Sequence, residues 1–76
     1  METGLHCIRP GATAVVISVN TEPVLRRRLQ AFGLVPGTKV RCCYRCPWGD
    51  LTALELRGGT LALRTDDLRK IRVRYL

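Results

Sequence analysis

Cys42-Cys43-Tyr44-Arg45-Cys46 is the stretch whose residue types and spacing suggest chemistry. Cys43-x-x-Cys46 has zinc-knuckle spacing, and His6-Cys7 near the N-terminus offers two further donors that would complete a tetrahedral set. The same residues have a plainer use, because a reduced thiol in a strand is a small and easily buried hydrophobe. We take that second reading, with free thiols and no metal, and keep Cys43 and Cys46 as the alternative metal ligands. Ferrous iron held by carboxylates and imidazoles has no evident site, since the acids are scattered and His6 is the sole histidine. Catalysis is not expected either. The chain shows no glycine-rich phosphate loop, no paired carboxylates and no nucleophile with a local base, and Gly58-Gly59 reads first as a hairpin turn. No cofactor is implied.

Seventy-six residues make one domain, residues 1–76. A chain of this size buries only about 60% of the surface it exposes when unfolded, which leaves little room for a substrate-sized cavity. The composition, 46% hydrophobic and 25% charged, is that of a globular domain, and its longest apolar run, Ala14 to Ile17, is far short of the ~20 residues a membrane helix needs. The N-terminus lacks the basic and apolar regions of a signal peptide, so a cytoplasmic location is expected. Thirteen Lys and Arg against six acids give a net charge of +7, which favours polyanionic partners without choosing among them. The basic residues are spread along the chain with no single stripe, and most are read as solvated surface.

The elements that must position these residues are organised around Leu25 to Val40. Leu25, Leu29 and Phe32 recur at i, i+4 and i+7, which places them on one helical stripe and leaves Arg26, Arg27 and Gln30 on the opposite face. The helix is predicted over 22–32, capped by Asn20 or Thr21, with Pro23 in the first turn. Gly33 follows as a left-handed cap, and Pro36-Gly37 supplies a turn before a strand begins.

Upstream, Leu5 to Pro10 reads as a lead-in segment, and Pro10-Gly11 as a turn into a strand over 13–19 covered on both sides for part of its length. Downstream, Val40, Cys42 and Tyr44 alternate with charged residues in a half-buried strand, 39–46. Pro47-Trp48-Gly49-Asp50 breaks it, and alternation resumes over 51–57 as the second arm of a hairpin. After Gly58-Gly59 comes a short strand with Leu61 and Leu63 on one face. Thr65 then caps one helical turn, and a last strand turns Ile71, Val73 and Tyr75 inward and Arg72 and Arg74 outward. These signals predict a mainly β fold, a small SH3-like barrel of about five strands with one short helix between the first and second.

The order of Pro10-Gly11, Arg28-Leu29, Phe32-Gly33-Leu34, Pro36-Gly37-Thr38 with Val40, Pro47 with Gly49-Asp50, Gly58 with Leu61-Ala62-Leu63-Arg64, and Ile71-x-Val73 resembles the ferrous iron transport protein A family, FeoA, from about Leu5 to Val73. The resemblance implies an SH3-like module, of a kind also found at the C-terminus of some iron-dependent repressors. It further implies a non-enzymatic, cytosolic helper of FeoB, a membrane protein that imports ferrous iron and has a cytosolic nucleotide-binding domain. The cysteine cluster departs from the family pattern, which has a generic strand there.

The expected function is therefore docking onto the cytosolic domain of the FeoB-type transporter. Arg26, Arg27 and Gln30 form one candidate surface, and Leu34 with Val35 at the helix end form another. An apolar contact between copies near Leu34 is the other use for that second surface, giving a homo-oligomer. The alternative functions are a nucleic-acid-binding barrel and a metal-sensing module using the cysteines. Specific nucleic-acid binding is not expected, because Phe32, Tyr44, Trp48 and Tyr75 form no evident stacking platform.

Overall fold

The computed structural model describes residues 2–46 and 50–76. Its strands are β1 (Glu2–Gly4), β2 (Thr13–Val19), β3 (Lys39–Arg45), β4 (Leu51–Leu56), β5 (Gly59–Arg64) and β6 (Ile71–Tyr75). They pair antiparallel in the order β1-β6-β2-β3-β4-β5. The helices are α1 (Pro23–Phe32) and the single turn α2 (Thr65–Leu68), and Leu5–Cys7 forms a 3-10 turn. The edge strands β1 and β5 do not pair with each other among the described residues. Instead α2 lies close to both β5 and the 3-10 turn that follows β1.

The N-terminal segment differs from the expected lead-in. Glu2 to Gly4 add a strand to the free edge of β6, with Thr3 opposite Val73, and Leu5 and Ile8 are wholly buried. Main-chain pairing on an edge needs no side-chain alternation, and three residues are too few to show a period.

Helix α1 carries out the central prediction with two corrections. Its N-cap is Glu22, in extended geometry and with no side-chain cap, followed by Pro23 at the first helical position. Neither Asn20 nor Thr21 caps it: the Asn20 amide donates to Ser18 Oγ at 3.1 Å, and Thr21 is buried with its hydroxyl unpartnered. Leu29 is buried and Leu25 partly so, but Phe32 is 42% exposed and leans toward Gly59 at the β4–β5 turn.

The helix ends in a Schellman motif. Gly33 lies at φ 99°, its N–H donates to the Gln30 carbonyl at 3.0 Å, and the Leu34 N–H reaches back to the Leu29 carbonyl at 2.8 Å. That motif brings Leu34 down beside Leu29, and Leu34 is 0% exposed. It belongs to the core. The Thr38 hydroxyl donates to the Gly33 carbonyl at 2.8 Å, tying the loop to the helix end. The Val35 carbonyl accepts from Thr38 N–H at 3.0 Å across Pro36-Gly37, with Gly37 at φ 94°, which is the arrangement of a type II turn.

Two register details overturn expected side-chain directions. In β3, Cys42 opposes Leu54 but Tyr44 opposes Ala53, so Cys43 is the extra residue of a bulge. The bulge reverses the alternation, and Tyr44 is 62% exposed where an inward position was predicted. In the next hairpin Leu56 pairs with Gly59, so the turn residues are Arg57 and Gly58, both with positive φ, one place earlier than expected. Thr65 is the first residue of α2, with Arg64 as its cap; the Thr65 N–H donates to the Asp50 carbonyl at 2.7 Å. The expected Pro47-Trp48-Gly49-Asp50 turn falls largely on residues 47–49, which lie outside the described residues. In β6 Ile71 and Val73 are buried and Arg72 and Arg74 exposed, as their alternation predicted.

Candidate docking surface

The structure brings part of each expected surface together. Arg26 and Gln30, four residues apart on α1, share a flank of the helix and line a groove of about 350 Å³ with Val35 and Pro36 on the other side. Val19 and the buried Leu34 form its base. Leu34 is therefore floor, and the exposed contacts of the helix-end surface fall to half-buried Val35 and to Pro36. Arg27 is exposed on α1 but does not line the groove. None of Arg26, Arg27 and Gln30 makes a side-chain hydrogen bond or ion pair to another described residue, so the fold leaves them available.

Arg57 is a functional candidate that sequence reasoning passed over. It sits at φ 49° in the β4–β5 turn, its stem lies over Gly33, and it lines the groove between Val35 and Lys39. The sequence signal available was the Arg57-Gly58 pair between two apolar-alternating runs, which suits a two-residue hairpin turn. Nearby, Arg41 Nε donates to Glu55 Oε1 at 3.2 Å in an exposed ion pair, and that hydrogen bond raises the Arg41 pKa further.

The cysteine-rich end is built differently. Cys7 is exposed with its Sγ 3.3 Å from His6 Nε2, while His6 Nδ1 is buried without a partner. Burial holds the His6 pKa below its ordinary 6.5, helped by the charges of Arg69 and Arg45. The Arg45 guanidinium donates to the carbonyls of His6 at 2.6 Å and Ile8 at 2.5 Å, and the Tyr75 hydroxyl to that of Cys7 at 3.1 Å. These bonds fasten the 3-10 turn to β3 and β6. Cys42 is wholly buried, which pushes its thiol pKa up, and Cys43 and Cys46 are half-buried.

All four cysteines are free. Among the described residues no three His, Cys, Asp or Glu side chains converge as metal ligands. A tetrahedral structural zinc takes four such donors, and among the described residues His6 with Cys7 brings two together. Among the described residues no group partners His6 Nδ1, the position from which a third residue would orient the ring as a base.

A family model described as the FeoA domain matches residues 3–75. The chain belongs to the FeoA family. Among solved structures, this FeoA chain is similar to the FeoA protein from Chlorobium tepidum, at 35% identity and TM-score 0.93, covering 97% of this chain and 70% of that one. It is similar to a FeoA-like protein from Clostridium acetobutylicum at 33% identity and TM-score 0.85, covering 99% and 87%. A third likeness is to Stenotrophomonas maltophilia FeoA complexed with zinc, described as an SH3 domain protein, at 27% identity and TM-score 0.78, covering 96% and 88%. No curated protein matches the sequence. The mainly β architecture of this FeoA chain is thus SH3-like, and its family is that of ferrous iron transport. No helix among its described residues is long and apolar enough to cross a membrane.

Proposed function

We propose that this FeoA chain is a non-enzymatic, cytosolic accessory protein of ferrous iron uptake that docks onto the cytosolic part of a FeoB-type iron transporter through the groove between α1 and the loop to β3. One observation carries the reading. Arg26, Gln30 and Val35 meet on one groove, and the side-chain polar groups of Arg26 and Gln30 have no partner among the described residues. An apolar floor with a charged flank suits a protein partner: apolar contact supplies affinity, and charge supplies orientation and speed of encounter. Membership of the FeoA family gives that partner its setting in ferrous iron transport. Stenotrophomonas maltophilia FeoA, discussed as a ferrous iron transport activating factor, supports the same direction.

The test is direct binding of the full chain to the transporter's purified cytosolic portion, comparing wild type with Arg26→Glu and with Val35→Asp. Loss of binding in both variants, with melting unchanged, supports the groove. Normal binding by both removes it as the docking surface.

A further inference from the structure

We propose that the docked partner segment is an extended, acidic stretch of polypeptide, lying in a trough that runs from α1 past the α1–β3 loop to the β4–β5 turn. The inference rests on the docking reading and adds the chemistry of what docks.

Three grooves share walls. Val35 and Pro36 line both the groove beside α1 and a second one of about 550 Å³. Lys39 and Arg57 line both that second groove and a third of about 490 Å³ between β3 and the β4–β5 turn. Through these shared residues the three grooves adjoin one another in series. Its charge is one-sided: Arg26, Lys39, Arg57 and Arg41 are basic, and the single acid, Glu55, is held by Arg41 at 3.2 Å. Arg26, Lys39 and Arg57 have no ion-pair partner among the described residues.

Between the cations the lining is apolar at Val35 and Pro36. An extended chain sends alternate side chains to opposite sides, so carboxylates at every second position can face the basic wall while the intervening residues lie on the apolar stretch. The longest dimension of the described fold is 28 Å, which about eight or nine extended residues span. A single nucleic-acid strand fits this lining less well. It supplies phosphates for the cations, but its bases need stacking partners, and no aromatic side chain among the described residues lines any of the three grooves.

The experiment measures binding of a fluorescent peptide of about nine residues alternating Glu with Val, chosen to span the trough, against the same peptide with Gln for Glu and against an oligothymidine strand. The full-length chain is compared with Lys39→Glu/Arg57→Glu and with Arg64→Glu/Arg69→Glu. The second pair makes an equal charge change, and Arg64 lies opposite Leu51, at the far end of the β4–β5 ladder from Gly59. Binding of the Glu peptide that falls about tenfold or more in the first variant, and by less than about threefold in the second, is the expected result. No Glu-peptide binding, equal loss in both variants, equal binding of the Gln peptide, or tighter binding of the oligothymidine would each overturn it.

Arg57→Gln, which keeps most of the stem over Gly33, should reproduce part of the loss should the double reversal melt early. If Lys39→Glu/Arg57→Glu still binds the transporter portion normally, the trough fails and docking beside α1 stands. If the transporter portion binds no form of the chain while the Glu peptide binds in the trough, the transporter reading fails alone.

Discussion

Gly33 ends α1 at φ 99°, and the stem of Arg57 fills the space its missing side chain leaves: a Cβ at Gly33 would lie 3.1 Å from Arg57 Nε and 3.6 Å from Cγ. Two turns distant in sequence are thereby packed into one contact. Gly33→Val should destabilise by about 1 to 3 kcal/mol, from positive φ at a β-branched residue and from displacement of Arg57. Arg57→Gly removes both the obstructing stem and a strained φ of its own. In a double-mutant cycle read by urea denaturation, Gly33→Ala should therefore cost less in the Arg57→Gly background than alone. Strict additivity would show that the contact carries no energy.

Leu29→Ala should cost about 2 to 5 kcal/mol, because Leu29 is 2% exposed and packs beside Leu34 in the helix-end motif. Phe32→Ala should cost less than a buried phenylalanine normally does, since 42% of Phe32 is already exposed. Denaturant midpoints of the two variants check the order.

Docking should depend more on Arg26 than on Arg27, because only Arg26 lines the groove. Each single change to Glu should leave stability within about 0.5 kcal/mol. Arg26→Glu should slow association with the transporter's cytosolic portion, with a difference from wild type that narrows at high salt. Surface plasmon resonance at two ionic strengths separates the variants, and equal effects of Arg26→Glu and Arg27→Glu would point to net charge in place of a groove.

The fold should lose stability on mild acidification through His6. Its pKa is lowered in the folded state, so the unfolded chain binds the proton more readily. The His6 contribution is intact above 6.5, is lost as pH falls from there toward the folded value, and is gone below it. A protonated ring would also carry an N–H at Nδ1, which is buried with no acceptor. Melting followed from pH 7.5 to 5 should fall more steeply in wild type than in His6→Gln. Parallel curves would show that His6 titrates alike in both states.

The cysteines should divide by burial. Alkylation of the native chain should mark Cys7 first and Cys42 last, because Cys7 is exposed while Cys42 is wholly buried with its thiol pKa raised. Cys43→Ser/Cys46→Ser should keep stability within about 2 kcal/mol, whereas a structural zinc supplying ~10 kcal/mol would leave the variant unfolded. Mass spectrometry of timed alkylation and metal analysis of chelator-free protein check both statements.

What the sequence determined by itself is the local grammar: α1 and its glycine stop, the Pro36-Gly37 turn, five of the six strands, and membership in the FeoA family. Each of these follows from residues within one or two turns of one another, as helical period, turn chemistry or strand alternation. Only the tertiary structure decided the outward direction of Tyr44, because a bulge exists relative to a partner strand and Ala53 is nine residues away along the chain. It also drew Leu34 into the core, through hydrogen bonds that fold the chain back on Leu29, and brought Val35 beside Arg26 and Arg57 over Gly33. Those placements depend on how separate elements pack, and the free energy that selects among such packings is summed over the whole core, so no short window of residues contains it.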